Sequence, residues 1–154
     1  MFLNGILTNA EIWYGITKSE IKKLEDLDLN LMRKILNTPF SVPSEGVYLE
    51  LGCMNIETIL KARRLNYLHY LLNQNESSML YKFFCTQWKY SSKNDWTDQA
   101  RLDLADFGIS ENLEQIRNQS KNKFKRIAFY NFLERKESHT KLANLFYTEI
   151  KLQE

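Results

Sequence analysis

The chain has 154 residues, 44% of them apolar and 13% aromatic, with a formal charge of +2 and only 5 Gly and 2 Pro. That is the length of one domain able to bury its own core, and so few turn-forming residues exclude the many short strands of a sandwich or barrel. No run approaches the ~20 apolar residues of a membrane-spanning helix, and Asn4, Asn9 and Glu11 interrupt the first apolar stretch where a signal peptide would be unbroken.

The expectation is an all-α fold, an irregular bundle of about seven or eight helices. It is read as one domain over 1–154, with two lobes possible, 1–90 and 95–154, the second the more basic. The first pattern covers residues 2–14, with Phe2, Ile6, Leu7, Ala10 and Trp13 on one face and Gly15 as its stop. Thr17-Lys18-Ser19-Glu20 then forms a capping box. Behind it Ile21, Leu24, Leu27, Leu31 and Ile35 recur at steps of three and four, predicting one buried stripe.

Pro39 and Pro43 break this pattern, because each pushes the preceding residue out of the α region. Ser41 or Ser44 caps a short helix from Glu45 to Leu51, which Gly52 closes. Asn55 caps the next, running to about Asn73 and burying Ile56, Ile59, Leu60, Tyr67, Leu68, Leu71 and Leu72. A helix from Ser77 to about Tyr90 carries Met79, Leu80, Phe83, Phe84 and Trp88. The polar link Ser91-Ser92-Lys93-Asn94 is the predicted lobe boundary or mobile loop. Asp95 caps a helix from Trp96 to Phe107, stopped by Gly108, and a short helix follows from Ser110 to about Asn118. Residues 120–136 are helical, with Phe124, Ile127, Ala128 and Phe132 inward. Residues 138–152 form the last pattern, with Leu142, Leu145, Phe146 and Ile150.

Charge is unevenly divided. Residues 1–60 carry 5 basic and 8 acidic side chains, residues 61–154 carry 16 and 11, so the second half is the one suited to an anionic partner. Two constellations concentrate it. Lys61, Arg63 and Arg64, followed by Tyr67, His69 and Tyr70, place cations and aromatics on neighbouring turns, able to hold phosphate and stack a base. The alternative is a helix whose aromatics are core and whose cations are solvated. Arg117, Lys121, Lys123, Lys125 and Arg126 form the densest cation run, with no acidic residue from position 115 to 133. Lys121 and Lys125 share a face at i, i+4, where like charges repel mildly unless an anion lies between them; a solvated surface is again the alternative. Trp88 and Trp96 are further stacking candidates.

Catalytic chemistry finds no home. His69, His139, Cys53 and Cys85 lack the short paired spacing of a zinc site, and the two cysteines are expected to be reduced, buried thiols. Asp95-x-x-Asp98 and Asp103-x-x-Asp106 read as helix-surface acids rather than cation ligands. There is no Gly-rich phosphate loop and no Ser-His-Asp or Cys-His signature. The expectation is a protein that is not an enzyme, uses no cofactor or metal, and is intracellular, in cytoplasm or nucleus.

The stretch NAEIWYGITKSEIKKLEDLDLNLMRKILNTPFSVPSEGVYLELGCMNIETILKARRLNYLHYLLN, continued by QNESSMLYKFFCTQWKYSSKNDW, resembles the segment downstream of the polymerase core in reverse transcriptases of non-LTR retrotransposons. The positions that carry the resemblance are Asn9, Ala10, Glu11 and Trp13; Thr17, Ile21, Leu24 and Glu25; Ser41 and Pro43; Tyr48, Leu49, Glu50 and Gly52; Arg63, Arg64, Tyr67, Leu68 and His69. The ending FYTEIKLQE is similar to that family's closing helix. The aromatic-x-Asp-Asp site of a polymerase and a Cys-x-x-Cys knuckle are both lacking from the sequence.

The resemblance implies a helical thumb and connector that holds template and primer, RNA or DNA, beside the remainder of a retroelement polymerase. It also implies that Met1 is a fortuitous start, with Phe2, Leu3 and Ile6 partly exposed or paired with a second copy. The rival expectation is a protein-interaction module that self-associates through residues 2–14 and binds no nucleic acid.

Overall fold

A computed structural model describes residues 7–120 and 122–137, with side chains as far as Glu134. Seven α-helices and one 3-10 turn account for its regular structure, and no strand occurs among the described residues. The helices are α1 (Lys18–Leu36), α2 (Ser44–Glu50), α3 (Ile56–Leu72), α4 (Met79–Lys89), α5 (Trp96–Asp106), α6 (Leu113–Arg117) and α7 (Lys123–Glu137). The all-α bundle is thus as expected. The pattern over 138–152 lies outside the described residues.

The first expected helix is corrected. From Leu7 onward the chain makes only the 3-10 turn Ala10–Ile12, because Asn9 is left-handed (φ 56°) and Trp13 is extended. Neither conformation continues an α-helix. Leu7 and Ala10 are nevertheless fully buried, packing with Ile56 and Leu60 of α3 in a small separate cluster.

α1 starts as its sequence dictates. Glu20 N–H donates to Thr17 Oγ1 at 3.3 Å while Thr17 N–H donates to Glu20 Oε2 at 2.8 Å, which pairs two donors that a helix start leaves open. The Thr17 hydroxyl, which donates to Glu20 Oε2 at 2.7 Å, and the Thr17 N–H together hold the Glu20 carboxyl below its usual value. The helix ends in a Schellman motif at Asn37 (φ 51°), where Thr38 N–H reaches Arg33 O at 3.0 Å and Asn37 N–H reaches Lys34 O at 3.3 Å.

Its buried stripe is not the expected one. Leu27 and Ile35 are 64% and 67% exposed, and Asp28 and Met32 are buried in their place. Starting from Ile21 and Leu24, the series 27, 31, 35 and 28, 32, 36 both have helical spacing. The neighbours α2 and α3 select the second, whose polar member Asp28 hides it from a hydrophobicity reading.

Pro43 opens α2 without a side-chain cap, so neither Ser41 nor Ser44 is the cap. Gly52 (φ 61°) closes it and Gly108 (φ 64°) closes α5, both in the left-handed region that only glycine enters without strain. α3 is capped by Asn55 Oδ1, which accepts from Thr58 N–H at 3.3 Å. It is the central helix, touching α1, α4, α5, α6, α7 and the N-terminal turn. Surrounded in this way, it buries residues on every side, Ala62, Leu65, Leu68, Leu71 and Leu72 among them.

α4 holds only Phe84 inside. Met79 and Phe83 of the same helix are 70% and 68% exposed. α5 starts at Asp95, whose Oδ1 accepts from Asp98 N–H at 2.8 Å. The polar link before it is pinned: Arg101 donates to Ser91 Oγ and to Trp88 O, the latter at 2.6 Å, and its guanidinium lies 4.5 Å from the Trp88 ring centroid. Phe84 and Trp96, on either side of that link, belong to one apolar cluster that also takes in Leu68, Leu104, Phe124 and Leu133. α6 begins three residues later than Ser110, at the Asn112 cap. α7 buries Phe124, Ala128, Phe132 and Leu133, each fully buried aromatic or leucine worth roughly 1.5–3 kcal/mol.

Candidate nucleic-acid interface

The residues singled out by sequence divide into two groups. On α3, cations alternate with apolar residues, so a helix buried on all sides must take them into the fold. Arg64 is 5% exposed; its Nη1 pairs with Asp103 Oδ2 on α5, and Nη2 and Nε donate to Trp13 O at 3.0 and 3.3 Å. Asp103 also accepts from Gln99 Nε2 at 3.3 Å. Burial pushes its carboxyl above the ordinary value, against the pull of Arg64, Gln99 and Lys61.

Lys61 Nζ lies 2.7 Å from Glu57 Oε1 and 2.5 Å from Asp106 Oδ2. Burial pulls the ammonium down, but the two carboxylates outweigh it and hold the pKa above its usual value. Arg63 Nη1 donates to Leu7 O at 2.5 Å. These three side chains therefore clamp the N-terminal segment and α5 onto α3.

The aromatics of the same helix are mostly occupied too. Tyr67 meets Trp96 edge-on at 5.7 Å and stacks on Tyr70 at 5.8 Å. Trp96 is buried and donates from Nε1 to Glu11 O at 2.9 Å, and Trp88 is half covered by Arg101. Tyr70 alone among these four presents a mostly exposed ring.

The second group is different. Arg117 reaches Glu76 Oε1 at 3.0 Å, an exposed pair. Lys121 lies outside the described residues. Lys123, Lys125 and Arg126 are all exposed on α7, between and around the buried Phe124, Ala128 and Leu133. Neither Lys123 nor Lys125 joins an ion pair with a described residue. His69, on α3, holds the turn before α7: its Nε2 donates to Gln119 O at 2.8 Å, and its ring lies 6.1 Å from that of Phe124.

Arg63 and Lys125 come together across a cleft of about 350 Å³ between α3, α7 and the turn at Gly52 to Met54. A larger hollow of about 610 Å³ lies between α3 and α5, but its Lys61 and Arg64 already face Glu57, Asp103 and Asp106. Sequence reasoning missed those acids as partners. The signal was present: cations at 61 and 64 and acids at 103 and 106 have the same i, i+3 spacing.

Cys53 and Cys85 are free and half-buried, and burial pushes the Cys53 thiol up. No cluster of three or more His, Cys, Asp or Glu able to hold a metal occurs among the described residues. No described helix is long and apolar enough to cross a membrane. The self-association segment 2–14 has Leu7 and Ala10 buried against α3 and Ile12 and Tyr14 exposed; residues 2–6, including Phe2, Leu3 and Ile6, lie outside the described residues. Compared with known proteins, the chain matches no family model, no curated protein and no solved structure.

Proposed function

We propose that the chain is a non-catalytic helical segment that binds RNA or DNA through phosphate contacts, in the manner of the template-holding region of the retrotransposon polymerases it resembles. The observation that carries this reading is on α7, where Lys123, Lys125 and Arg126 are exposed within a run of sequence free of acids from 115 to 133. Lys121 and Arg117 extend the run in sequence. Lys61 and Arg64 are not part of the surface, since their charge is already spent on Asp106 and Asp103.

Neutralising about three or four phosphates gives weak, sequence-independent binding with a log-log salt slope of roughly −3. Raising salt from about 50 to 200 mM should then weaken affinity roughly 60-fold. Fluorescence anisotropy with a labelled duplex tests this, and affinity that is absent at low salt or indifferent to salt overturns it.

A second reading rests on α4, whose Met79, Leu80 and Phe83 are exposed together one turn apart. Helix faces of this kind bind other proteins or a second copy. Light scattering on the wild type and on Phe83→Glu separates the two: a dimer lost in the variant, with no salt-dependent nucleic-acid binding, favours association.

A further inference from the structure

The cleft between α3 and α7 differs from the other hollows of the molecule in its charge. The hollow between α3 and α5 is lined by Glu57, Asp103 and Asp106, that between α1 and α2 by Glu25, Asp26 and Glu45, and one of about 310 Å³ beside Val42 includes Glu50. Among the described residues the α3–α7 cleft has no carboxylate in its lining. Its cations, Arg63 and Lys125, stand on different helices, and the same lining includes the apolar residues Leu7, Met54 and Ile59. The α3 positions 59, 63 and 66 are spaced i, i+4 and i+7, so one stripe of a rigid helix forms the wall. About 350 Å³ is near the lower end for small-ligand sites, which are mostly apolar with a few placed polar groups.

An apolar floor under a two-sided positive rim suits an anion with a flat apolar body. We propose that this cleft takes one nucleotide, its base against Ile59 and Met54 and its phosphate at Lys125 and Arg63. The proposal rests on the phosphate-binding reading of α7 and adds to it a preference for single strands, because a paired base cannot leave its stack to enter a pocket without the cost of unpairing. Arg63 keeps its bond to Leu7 O and contributes charge from where it stands, and Lys125 is the cation the phosphate displaces from water.

The test compares a labelled strand of about 12 thymidines with an abasic strand of the same length, on the wild-type chain. The expected result is binding of the base-bearing strand at least tenfold tighter. Asn66→Trp, which fills the cleft from its wall, should bring the two strands to equal affinity, while Asn66→Ala should keep the difference; melting curves report whether each variant is folded. Asn66 Oδ1 has no hydrogen-bond partner, so losing that oxygen removes no bond from the fold. Amide shifts at Gly52, Cys53 and Asn66 on adding thymidine monophosphate would extend the site to a free nucleotide; shifts there with the strand alone would confine it to a nucleotide within a chain, and either supports the cleft. Equal affinity of the two strands for the wild type overturns the cleft and leaves the phosphate contacts of α7 standing. Failure of both strands to bind in a salt-dependent way overturns both.

Discussion

Arg64 of α3 and Asp103 of α5 form a buried ion pair, and one turn along the same two helices Lys61 and Asp106 repeat it in the opposite chain direction. The antiparallel order continues to Tyr67 and Trp96, in edge-on contact at 5.7 Å. Three successive turns of α3 are thus matched to α5 by charge, charge and ring.

The two ion pairs should differ sharply in what their loss costs. Removing Arg64 leaves a buried carboxylate without its cation, held only by Gln99, and the Trp13 carbonyl without its Arg64 donors. Arg64→Ala should destabilise by about 3–5 kcal/mol. Lys61→Ala breaks a pair with exposed carboxylates and should cost roughly 1 kcal/mol or less. Urea unfolding checks both, and equal losses would contradict the assigned burial. Arg64→Met combined with Asp103→Leu should recover much of the loss, since apolar groups of similar size can replace a buried pair.

Asp28 predicts a stability that declines with pH. Its carboxyl is 4% exposed with Oδ2 lacking a partner, and burial, with the Glu25 charge one turn away, raises its pKa above 3.8. The folded state therefore holds the proton more tightly than the unfolded state. The resulting stability is full below about 3.8 and is lost as pH rises from there through the folded value. Asp28→Asn should abolish that slope and gain on the order of 1 kcal/mol at pH 7. Glu20 works in the opposite sense: its pKa is lowered by Thr17, so its contribution is present above 4.5 and fades as acid is added. Denaturant midpoints of wild type and Asp28→Asn between pH 3.5 and 7, roughly, decide the matter.

What the sequence made legible was local. The Thr17–Glu20 box, the Asn55 and Asp95 caps and the glycine stops at 52 and 108 each need only a few neighbouring residues, and each stands where the sequence puts it. What failed depended on partners distant in the chain. Ile35 fits an apolar stripe as well as Met32 does, and only the position of the facing helix decides between them. The same holds at the candidate site. Lys61 and Arg64 look like Lys123 and Lys125 in isolation, and α5, some forty residues away, turns the first two into structural ties. Asn9 escaped notice for a different reason, because asparagine is tolerated in helices and its left-handed backbone carries no mark in the side-chain pattern.

The N-terminal segment is expected to be integral to the fold. Leu7 is fully buried against α3, and Arg63, Arg64 and Trp96 all donate to its backbone carbonyls. Leu7→Ala should cost about 2–5 kcal/mol by the cavity it opens. Trp96→Phe, which removes one donor and leaves Glu11 O to water, should cost about 1 kcal/mol. Hydrogen exchange at α3 amides gives the finer readout: Leu7→Ala should speed exchange near Ile56 and Leu60 more than near Leu71 and Leu72, because the small cluster is separate from the main one.

The division of the cations can be read from salt dependence. Each lysine that meets a phosphate releases counterions, so Lys123→Ala and Lys125→Ala should each reduce the magnitude of the log-log slope by about 0.9 on duplex DNA. Lys61→Ala should leave the slope as it is, since Asp106 and Glu57 already hold that ammonium. Arg117 falls between: its exposed partner Glu76 can be exchanged for a phosphate at little cost, so Arg117→Ala should change the slope by less than a full contact, while Glu76→Gln should tighten binding slightly. Anisotropy titrations at four or more salt concentrations separate these cases. An unchanged slope in the Lys123→Ala, Lys125→Ala double variant would show that these α7 cations are solvated surface, and the phosphate reading would fall with it.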